Sequence, residues 1–205
     1  MKYKLISMFS EPDGGDYYTR AATRLAAQCV GLGIPHRIER RENAGDWLKN
    51  TKLKGPFVHD ILEDEKAPVL WVDVDCPVSR APELDEFADV DFAAVEFMAK
   101  SNLNPPLKIM GTSLFFNYTD GGRRLAKEWK ELCEDKSRWE AGDHRLLSNL
   151  LYDNDWLNWR FLPDCYCRNR HNMRGDEEAV ISLGLAKEVT QRREIMNGLH
   201  KQGLA

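Results

Sequence analysis

Two aspartates, Asp73 and Asp75, stand at the end of the apolar segment APVLWVDVDCPV, residues 67–78. Side chains alternate along a β-strand, so we expect both carboxylates on one face and Cys76 on the other. A strand this apolar is typical of the buried centre of a parallel sheet, and α/β proteins bind ligands at the carboxyl edge of such a sheet. Two carboxylates that share a site repel each other, which favours a divalent cation and, with it, a phosphate ester. The alternative is that Asp73 merely caps the strand and Asp75 opens a turn with Pro77.

The composition is that of an ordinary globular chain of 205 residues, 42% of them hydrophobic and 30% charged. This length supplies one sizeable core, so we expect a single domain over residues 1–205. A formal net charge of −4 is not that of a wholly basic nucleic-acid-binding protein. No apolar run approaches the ~20 residues that span a bilayer, so we expect no membrane partner and a cytoplasmic location. The five cysteines are scattered and odd in number, which predicts reduced thiols.

The hydrophobic periodicity predicts an α/β fold. A strand over 3–9, a helix that begins at Tyr17 and stops at Gly31 and Gly33, and a strand over 35–40 form a β-α-β unit, which implies a parallel sheet. The same reasoning predicts the later elements: a helix near 56–65, the strand that carries the two aspartates, strands at 91–97 and 108–116, a helix capped by Asp120, a helix from Gly142, a strand over 179–183 and a final charged helix containing Lys187, Arg192 and Arg193.

The order of several short motifs from Tyr3 to about Gly184 resembles the small nucleotide-diphospho-sugar transferases of the GT-A fold. The motifs are Lys54 before a helix, VLWVDVD at 69–75, GTSLFFN at 111–117, Trp129 in KEWKEL and Asp143 in GDHRLLSNLL. The resemblance implies a Rossmann-like GT-A fold, in which helices flank a mixed, mainly parallel central sheet. It also implies a metal-dependent glycosyltransferase that moves a hexosyl or pentosyl group from a nucleotide-diphosphate sugar to a hydroxyl acceptor, with Mn²⁺ or Mg²⁺ as cofactor.

The resemblance further implies a set of donor-binding residues: Lys54, Asp73, Asp75, Gly111 and Thr112. In the family, the two aspartates hold the metal and the diphosphate, and the lysine approaches the nucleotide. Gly111 and Thr112 match the turn that lines the sugar pocket, where glycine permits a close backbone approach. Taken alone, Lys54 would be interpreted as a solvated surface lysine, and Gly111 as a simple kink in a strand.

The sequence departs from the family at the pair of residues near the reacting centre. Asp143 matches the first residue of the family's Asp-Gln pair, but His144 stands where the glutamine is usual. We expect Asp143 and His144 to be the catalytic residues. The alternative for Asp143 is a purely structural role, because a carboxylate in the first turn of a helix also stabilises the helix dipole.

A second departure concerns the metal. The family commonly carries a histidine after the last strand as a third metal ligand, and Ser182 and Leu183 stand in the matching passage here. Two interpretations follow. Either Asp73 and Asp75 hold the ion together with phosphate oxygens and water, as Mg²⁺ tolerates, or His171 in the preceding loop is the third ligand.

Arginines alternate with aromatic residues between Trp156 and Arg174. Guanidinium groups contact phosphates and aromatic rings stack on bases or sugars, so this segment is a candidate acceptor site. One candidate acceptor is a hydroxymethylated base in DNA, beside protein and carbohydrate hydroxyls. The segment could equally bind the donor diphosphate, or place its aromatic rings in the core with its arginines in water.

Two other functions fit parts of the pattern. In phosphatases of the haloacid dehalogenase type, an apolar strand also ends in two aspartates, the nucleophile and the acid. That motif belongs near the amino terminus, however, whereas a whole β-α-β unit precedes Asp73 here. The other alternative is a noncatalytic module that binds a nucleotide sugar, a reading that the missing histidine supports.

Overall fold

The computed structural model describes residues 1–11, 14–97, 108–138, 141–168 and 178–183. In these ranges the strands are β1 (Lys4–Phe9), β2 (His36–Arg40), β3 (Val69–Val72), β4 (Phe92–Glu96), β5 (Ile109–Phe116) and β6 (Trp159–Leu162). The α-helices are α1 (Tyr17–Gly31), α2 (Trp47–Lys52), α3 (Lys54–Glu65), α4 (Asp120–Glu134) and α5 (Asp143–Asp153). None of these helices has the length and apolar character that a bilayer span requires.

The strands form one mixed sheet in the order β2-β1-β3-β5-β4-β6. β1 pairs in parallel with β2 and β3, and β4 pairs in parallel with β6, whereas β5 runs antiparallel to its neighbours β3 and β4. The predicted β-α-β unit and the mixed, mainly parallel sheet flanked by helices are therefore confirmed. Because β1, β3 and β4 run in the same direction, their carboxyl ends lie at one edge of the sheet, which β5 reaches with its amino-terminal end.

β3 lies inside the sheet and is buried on both faces, as its uninterrupted apolar sequence predicts. Leu70 and Val72 belong to the core that α1 covers, through residues such as Leu25. Trp71 belongs to the opposite core, which α3, α4 and α5 cover and in which the rings of Phe116 and Trp129 stack 5.8 Å apart. Helices on both faces thus hold the end of β3 in place.

The start of α4 differs from the prediction. Asp120 is the first residue of the helix, and Thr119 is its N-cap. The Thr119 backbone is extended, so its Oγ1 can accept a hydrogen bond from the Gly122 amide, over 3.0 Å. Asp120 contributes its charge to the first turn instead, where it favours the helix dipole.

The carboxyl-terminal part of the described chain also differs from the prediction. β6 was not predicted, because the exposed side chains within it give no alternating apolar pattern. The strand predicted over 179–183 is reduced to isolated bridges, from Ile181 to Val78 and from Ser182 to Arg168. The predicted final helix, with Lys187, Arg192 and Arg193, lies outside the described residues.

Candidate active site

A cavity of about 440 Å³ opens at the edge of the sheet where β1, β3 and β4 end. Its other walls come from the segment that precedes α2, from α2 itself and from the first residues of α3 and α5. The cavity is lined by every described residue that the sequence placed in donor binding or catalysis: Lys54, Asp73, Asp75, Gly111, Thr112, Asp143 and His144. His171, the candidate third metal ligand, lies outside the described residues.

The two aspartates meet through a turn rather than along a strand. β3 ends at Val72, and the backbone amide of Asp73 donates to the Thr112 carbonyl of β5 over 3.0 Å. The amide of Cys76 then donates to the Asp73 carbonyl over 2.9 Å, which closes a turn. The prediction that Cys76 points away from the carboxylates is therefore wrong. Each of Asp73, Asp75 and Cys76 offers one possible ligand atom, and these three atoms lie within 4.8 Å of one another.

This group of side chains fits a divalent cation. Asp75 is only 3% exposed, and Asp73 is partly exposed to the cavity, so the site has a buried side and an open side. Carboxylate oxygens are the ligands that Mg²⁺ and Mn²⁺ prefer, and the open side leaves room for water or phosphate oxygens. Asp73 and Asp75 could hold such an ion where the cavity meets β3.

Lys54 is buried in the cavity wall and is not the surface lysine that its sequence context alone suggests. Its Nζ lies 2.9 Å from Asp143 Oδ2 and 3.1 Å from Asp73 Oδ1, and it donates to the Gly111 carbonyl over 2.9 Å. Burial acts to lower the pKa of Lys54, but the carboxylates of Asp143 and Asp73 outweigh burial and raise it. The ammonium group therefore stays charged and ties together α3, α5 and the turn after β3.

Asp143 begins α5 and is 3% exposed. Its carbonyl accepts a hydrogen bond of 2.9 Å from the indole of Trp129, which fixes the start of the helix against α4. Burial acts to raise the pKa of the Asp143 carboxyl, but the Lys54 ammonium and His144 lower it to about 2. Asp143 is therefore ionised at neutral pH, and its Oδ1 lies 3.7 Å from His144 Nδ1.

Gly111 allows β5 to pass close to α5. A Cβ added at this position would lie 2.8 Å from the Cβ of His144, a separation that real Cβ atoms essentially never show. The carbonyl of Gly111 also accepts the hydrogen bond from Lys54, so a larger residue at position 111 would displace either Lys54 or His144. The hydroxyl of the next residue, Thr112, forms a hydrogen bond with the Cys167 sulfur over 2.9 Å. The Thr112 carbonyl accepts the hydrogen bond from the Asp73 amide.

Sequence reasoning missed the wall formed by α2. Trp47 is 45% exposed at the start of this helix and lines the cavity, as do Asn50 and Thr51. Asn50 and Thr51 follow Trp47 by three and four residues, which is the spacing of one helical face. The signal was therefore present, but the polar stretch before Lys54 gave no apolar periodicity that would have predicted a helix.

The described part of the arginine-rich segment ends at Arg168, and side chains within it contact other elements of the fold. Arg160 donates to the Glu86 carbonyl over 2.9 Å and pairs with Asp89, while Trp156 lies beneath the Arg124 guanidinium at 4.1 Å. The cavity at the sheet edge has no lining residue from this part of the segment. The predicted acceptor roles of Arg170 and Arg174 fall outside the described residues.

Comparison with solved structures finds glycosyltransferases. A glycosyltransferase involved in the glycosylation of the major capsid of PBCV-1 aligns with a TM-score of 0.70 at 13% identity, over 96% of this chain and 99% of that one. Mouse xyloside xylosyltransferase 1 in its apo form aligns with a TM-score of 0.57 at 10% identity, over 91% of this chain and 99% of that one. The glycosyltransferase GlyE of Streptococcus pneumoniae TIGR4 aligns with a TM-score of 0.57 at 12% identity, over 99% of this chain and 64% of that one. No family model matches the sequence, and the search of curated proteins finds no match. The chain has a GT-A-like glycosyltransferase fold.

Proposed function

We propose that this protein is a metal-dependent glycosyltransferase that moves a sugar from a nucleotide-diphosphate sugar to a hydroxyl acceptor. The observation that carries the proposal is the position of Asp73 and Asp75, which stand together at the end of β3 and line the cavity beside Lys54. Within a GT-A-like fold, this combination suits a donor whose leaving group is a diphosphate. The proposed cofactor is Mn²⁺ or Mg²⁺, held by Asp73 and Asp75.

The charges of the site support a role for the cation in donor binding. Among the described residues, the cavity lining contains four carboxylates, from Asp46, Asp73, Asp75 and Asp143, and one ammonium, from Lys54. A diphosphate entering this cavity would meet a net negative lining, so it needs a counter-charge. A divalent cation bound by the aspartates would supply that charge and would act as a Lewis acid on the departing phosphate.

Asp143 and His144 divide the proton chemistry in this proposal. The low pKa of Asp143 makes it a weak base, and its contact with Lys54 keeps it ionised, so it suits orienting a donor hydroxyl and the imidazole. His144 lines the cavity with its Nδ1 toward Asp143. An imidazole nitrogen can accept a proton and His144 faces the cavity, so His144 is the better candidate to accept the proton of the acceptor hydroxyl.

The same charges favour an uncharged acceptor. A DNA strand carries a phosphate on every nucleotide, and these phosphates would face four carboxylates and one ammonium in the described lining of the cavity. The exposed indole of Trp47 stands at the same cavity and offers an apolar face on which a sugar ring can lie. We therefore propose a carbohydrate or protein hydroxyl ahead of a hydroxymethylated base in DNA.

The donor proposal is tested by measuring the melting temperature against a panel of nucleotide sugars, with and without Mn²⁺. A ligand that binds only the folded state raises the melting temperature, so a true donor should do so in a metal-dependent way. Asp75→Asn should abolish this shift while the protein stays folded. Asp46→Asn is the matched control, because asparagine keeps the cap of α2 and removes a cavity carboxylate outside the metal group. Unchanged metal-dependent donor binding in Asp75→Asn would refute the assigned role.

Product analysis separates the remaining functions. Transfer of a labelled sugar to neutral glycosides or to protein, and none to hydroxymethylpyrimidine DNA, is the expected result. Transfer to the DNA instead would overturn the acceptor proposal alone. Hydrolysis of p-nitrophenyl phosphate would favour the phosphatase. Donor binding without either hydrolysis or transfer would favour the noncatalytic module.

A further inference from the structure

We propose that Cys76 supplies a thiolate as the third protein ligand of the metal site formed by Asp73 and Asp75. The proposal rests on the metal dependence in the proposed function and extends it to the choice of metal. A sulfur ligand beside carboxylate oxygens disfavours Mg²⁺, which takes oxygen ligands almost exclusively, and raises the affinity of the site for borderline ions such as Co²⁺ and Zn²⁺.

The first support is the separation of the ligand atoms. Cys76 Sγ lies 3.9 Å from Asp75 Oδ1, as the donor of a hydrogen bond that a bound ion would replace. With metal–oxygen and metal–sulfur bonds of about 2.1 and 2.3 Å, that separation corresponds to an angle of about 125° at a shared ion. A tetrahedral angle of about 109° needs the two atoms only a few tenths of an ångström closer. The turn therefore presents oxygen and sulfur at a spacing that one ion can bridge.

The second support is the burial of one side of the site. Cys76 is 1% exposed, and Asp75 beside it is nearly as buried. Water has little access to this side, so the ion must complete its coordination there with protein atoms. Among the described residues, the group that can surround an ion contains Cys76 beside the two aspartates and no histidine. Coordination by sulfur requires the thiol proton to leave for solvent as the ion binds.

The third support is that Cys76 is grouped with the two aspartates whereas the other cysteine near the cavity wall is not. Cys167 also packs beside the cavity wall, but its sulfur lies 2.9 Å from the hydroxyl of Thr112. Cys167 is not in the group of ligand atoms that includes Asp73 and Asp75. The backbone explains the difference, since Cys76 belongs to the same hydrogen-bonded turn as both carboxylates.

The test is the absorption spectrum of the full chain after treatment with a chelator and titration with Co²⁺ alone. A cobalt–thiolate bond produces a charge-transfer band in the near ultraviolet, whereas a site made of oxygens produces none. We expect the band in the wild-type protein. We expect Cys76→Ser to lose it and to bind Co²⁺ about tenfold more weakly or worse. Cys29→Ser is the matched control, because Cys29 is buried in the same core cluster and lies outside the metal group.

Each outcome decides the proposal. Co²⁺ binding to the wild-type protein without the band, or a band that persists in Cys76→Ser, overturns the sulfur ligand and leaves a metal-dependent transferase standing. Failure of the wild-type protein to bind Co²⁺ also overturns the sulfur ligand. The proposed function is a separate question in that case, and it is overturned if a nucleotide sugar raises the melting temperature equally with and without metal. If Cys76→Ser does not fold, cadmium NMR of the wild-type protein decides the question, because a sulfur ligand shifts the resonance far from that of an all-oxygen site.

Discussion

Lys54→Met removes the ammonium group that lies between two carboxylates in the cavity wall. Methionine keeps an unbranched side chain of similar length, so packing against the Trp71 ring, which lies 5.0 Å from the ammonium, is largely retained. What is lost is the positive charge 2.9 Å from Asp143 Oδ2 and 3.1 Å from Asp73 Oδ1. The variant would have to bury Asp143 beside a second carboxylate without a counter-charge.

The size of the effect follows from the Asp143 carboxyl. Its pKa falls from an ordinary 3.8 to about 2, which corresponds to roughly 2–3 kcal/mol at ~1.4 kcal/mol for each tenfold change. Removing one partner of a buried ion pair costs about 3–5 kcal/mol, because the remaining charge is left uncompensated. We therefore expect the free energy of unfolding at neutral pH to fall by about 3–5 kcal/mol. The double variant Lys54→Met/Asp143→Asn should recover about 2 kcal/mol of this loss.

The fall in the free energy of unfolding caused by Lys54→Met should depend on pH. In the wild-type protein the folded pKa of Asp143 is below the unfolded one, so its stabilisation is complete above about pH 4–5 and disappears as the pH falls toward 2. Without the ammonium, burial raises the pKa of Asp143 in the folded variant. Protonation then removes the uncompensated charge, so the difference between variant and wild type should narrow as the pH is lowered from about 7 to about 4.

The assay is urea unfolding followed by tryptophan fluorescence at these two pH values. Lys130→Met is the control, because Lys130 makes an ion pair with Asp60 of 2.8 Å at the surface and should lose less than about 1 kcal/mol at either pH. The reasoning is refuted if Lys54→Met costs no more than Lys130→Met, or if its cost is the same at both pH values.

Two further substitutions test a close approach in the cavity wall and a pair of hydrogen bonds beyond the other end of β5. Gly111→Ala should lower the free energy of unfolding by about 1–3 kcal/mol and reduce transfer activity, because its Cβ would lie 2.8 Å from the Cβ of His144. A Cβ at position 142 would lie 3.5 Å from the His144 ring, so Gly142→Ala should change the free energy of unfolding by less than about 1 kcal/mol. Equal effects of Gly111→Ala and Gly142→Ala in urea unfolding would contradict the close approach of β5 to α5. Asn117→Ala should cost about 1–3 kcal/mol, because the Asn117 amide donates to the carbonyls of Ala88 and Val90 over 3.0 and 2.9 Å; an unchanged urea midpoint would show that these bonds contribute nothing.

The elements with a strong local pattern were predictable. β1, α1 and β2 follow from apolar spacing and from the glycines that end the helix, and β3 follows from an apolar run that is buried on both faces. The start of α5 near Gly142 was also predicted, since its leucines repeat at helical spacing. α2 and β6 were not, because Trp47–Lys52 is largely polar and the middle of Trp159–Leu162 is exposed. Elements without an amphipathic pattern form here through contacts with other parts of the chain.

For the candidate site, the sequence by itself determined which chemical groups are present and that two carboxylates follow a buried strand. The tertiary structure decided how these groups pair. Lys54 meets Asp143, a residue far along the chain, because β3 and β5 bring α3 and α5 to the same edge of the sheet. A turn, and not strand alternation, places Cys76 with Asp73 and Asp75. Local periodicity specifies the elements, whereas ion pairs and turns depend on distances that exist only once the elements have packed.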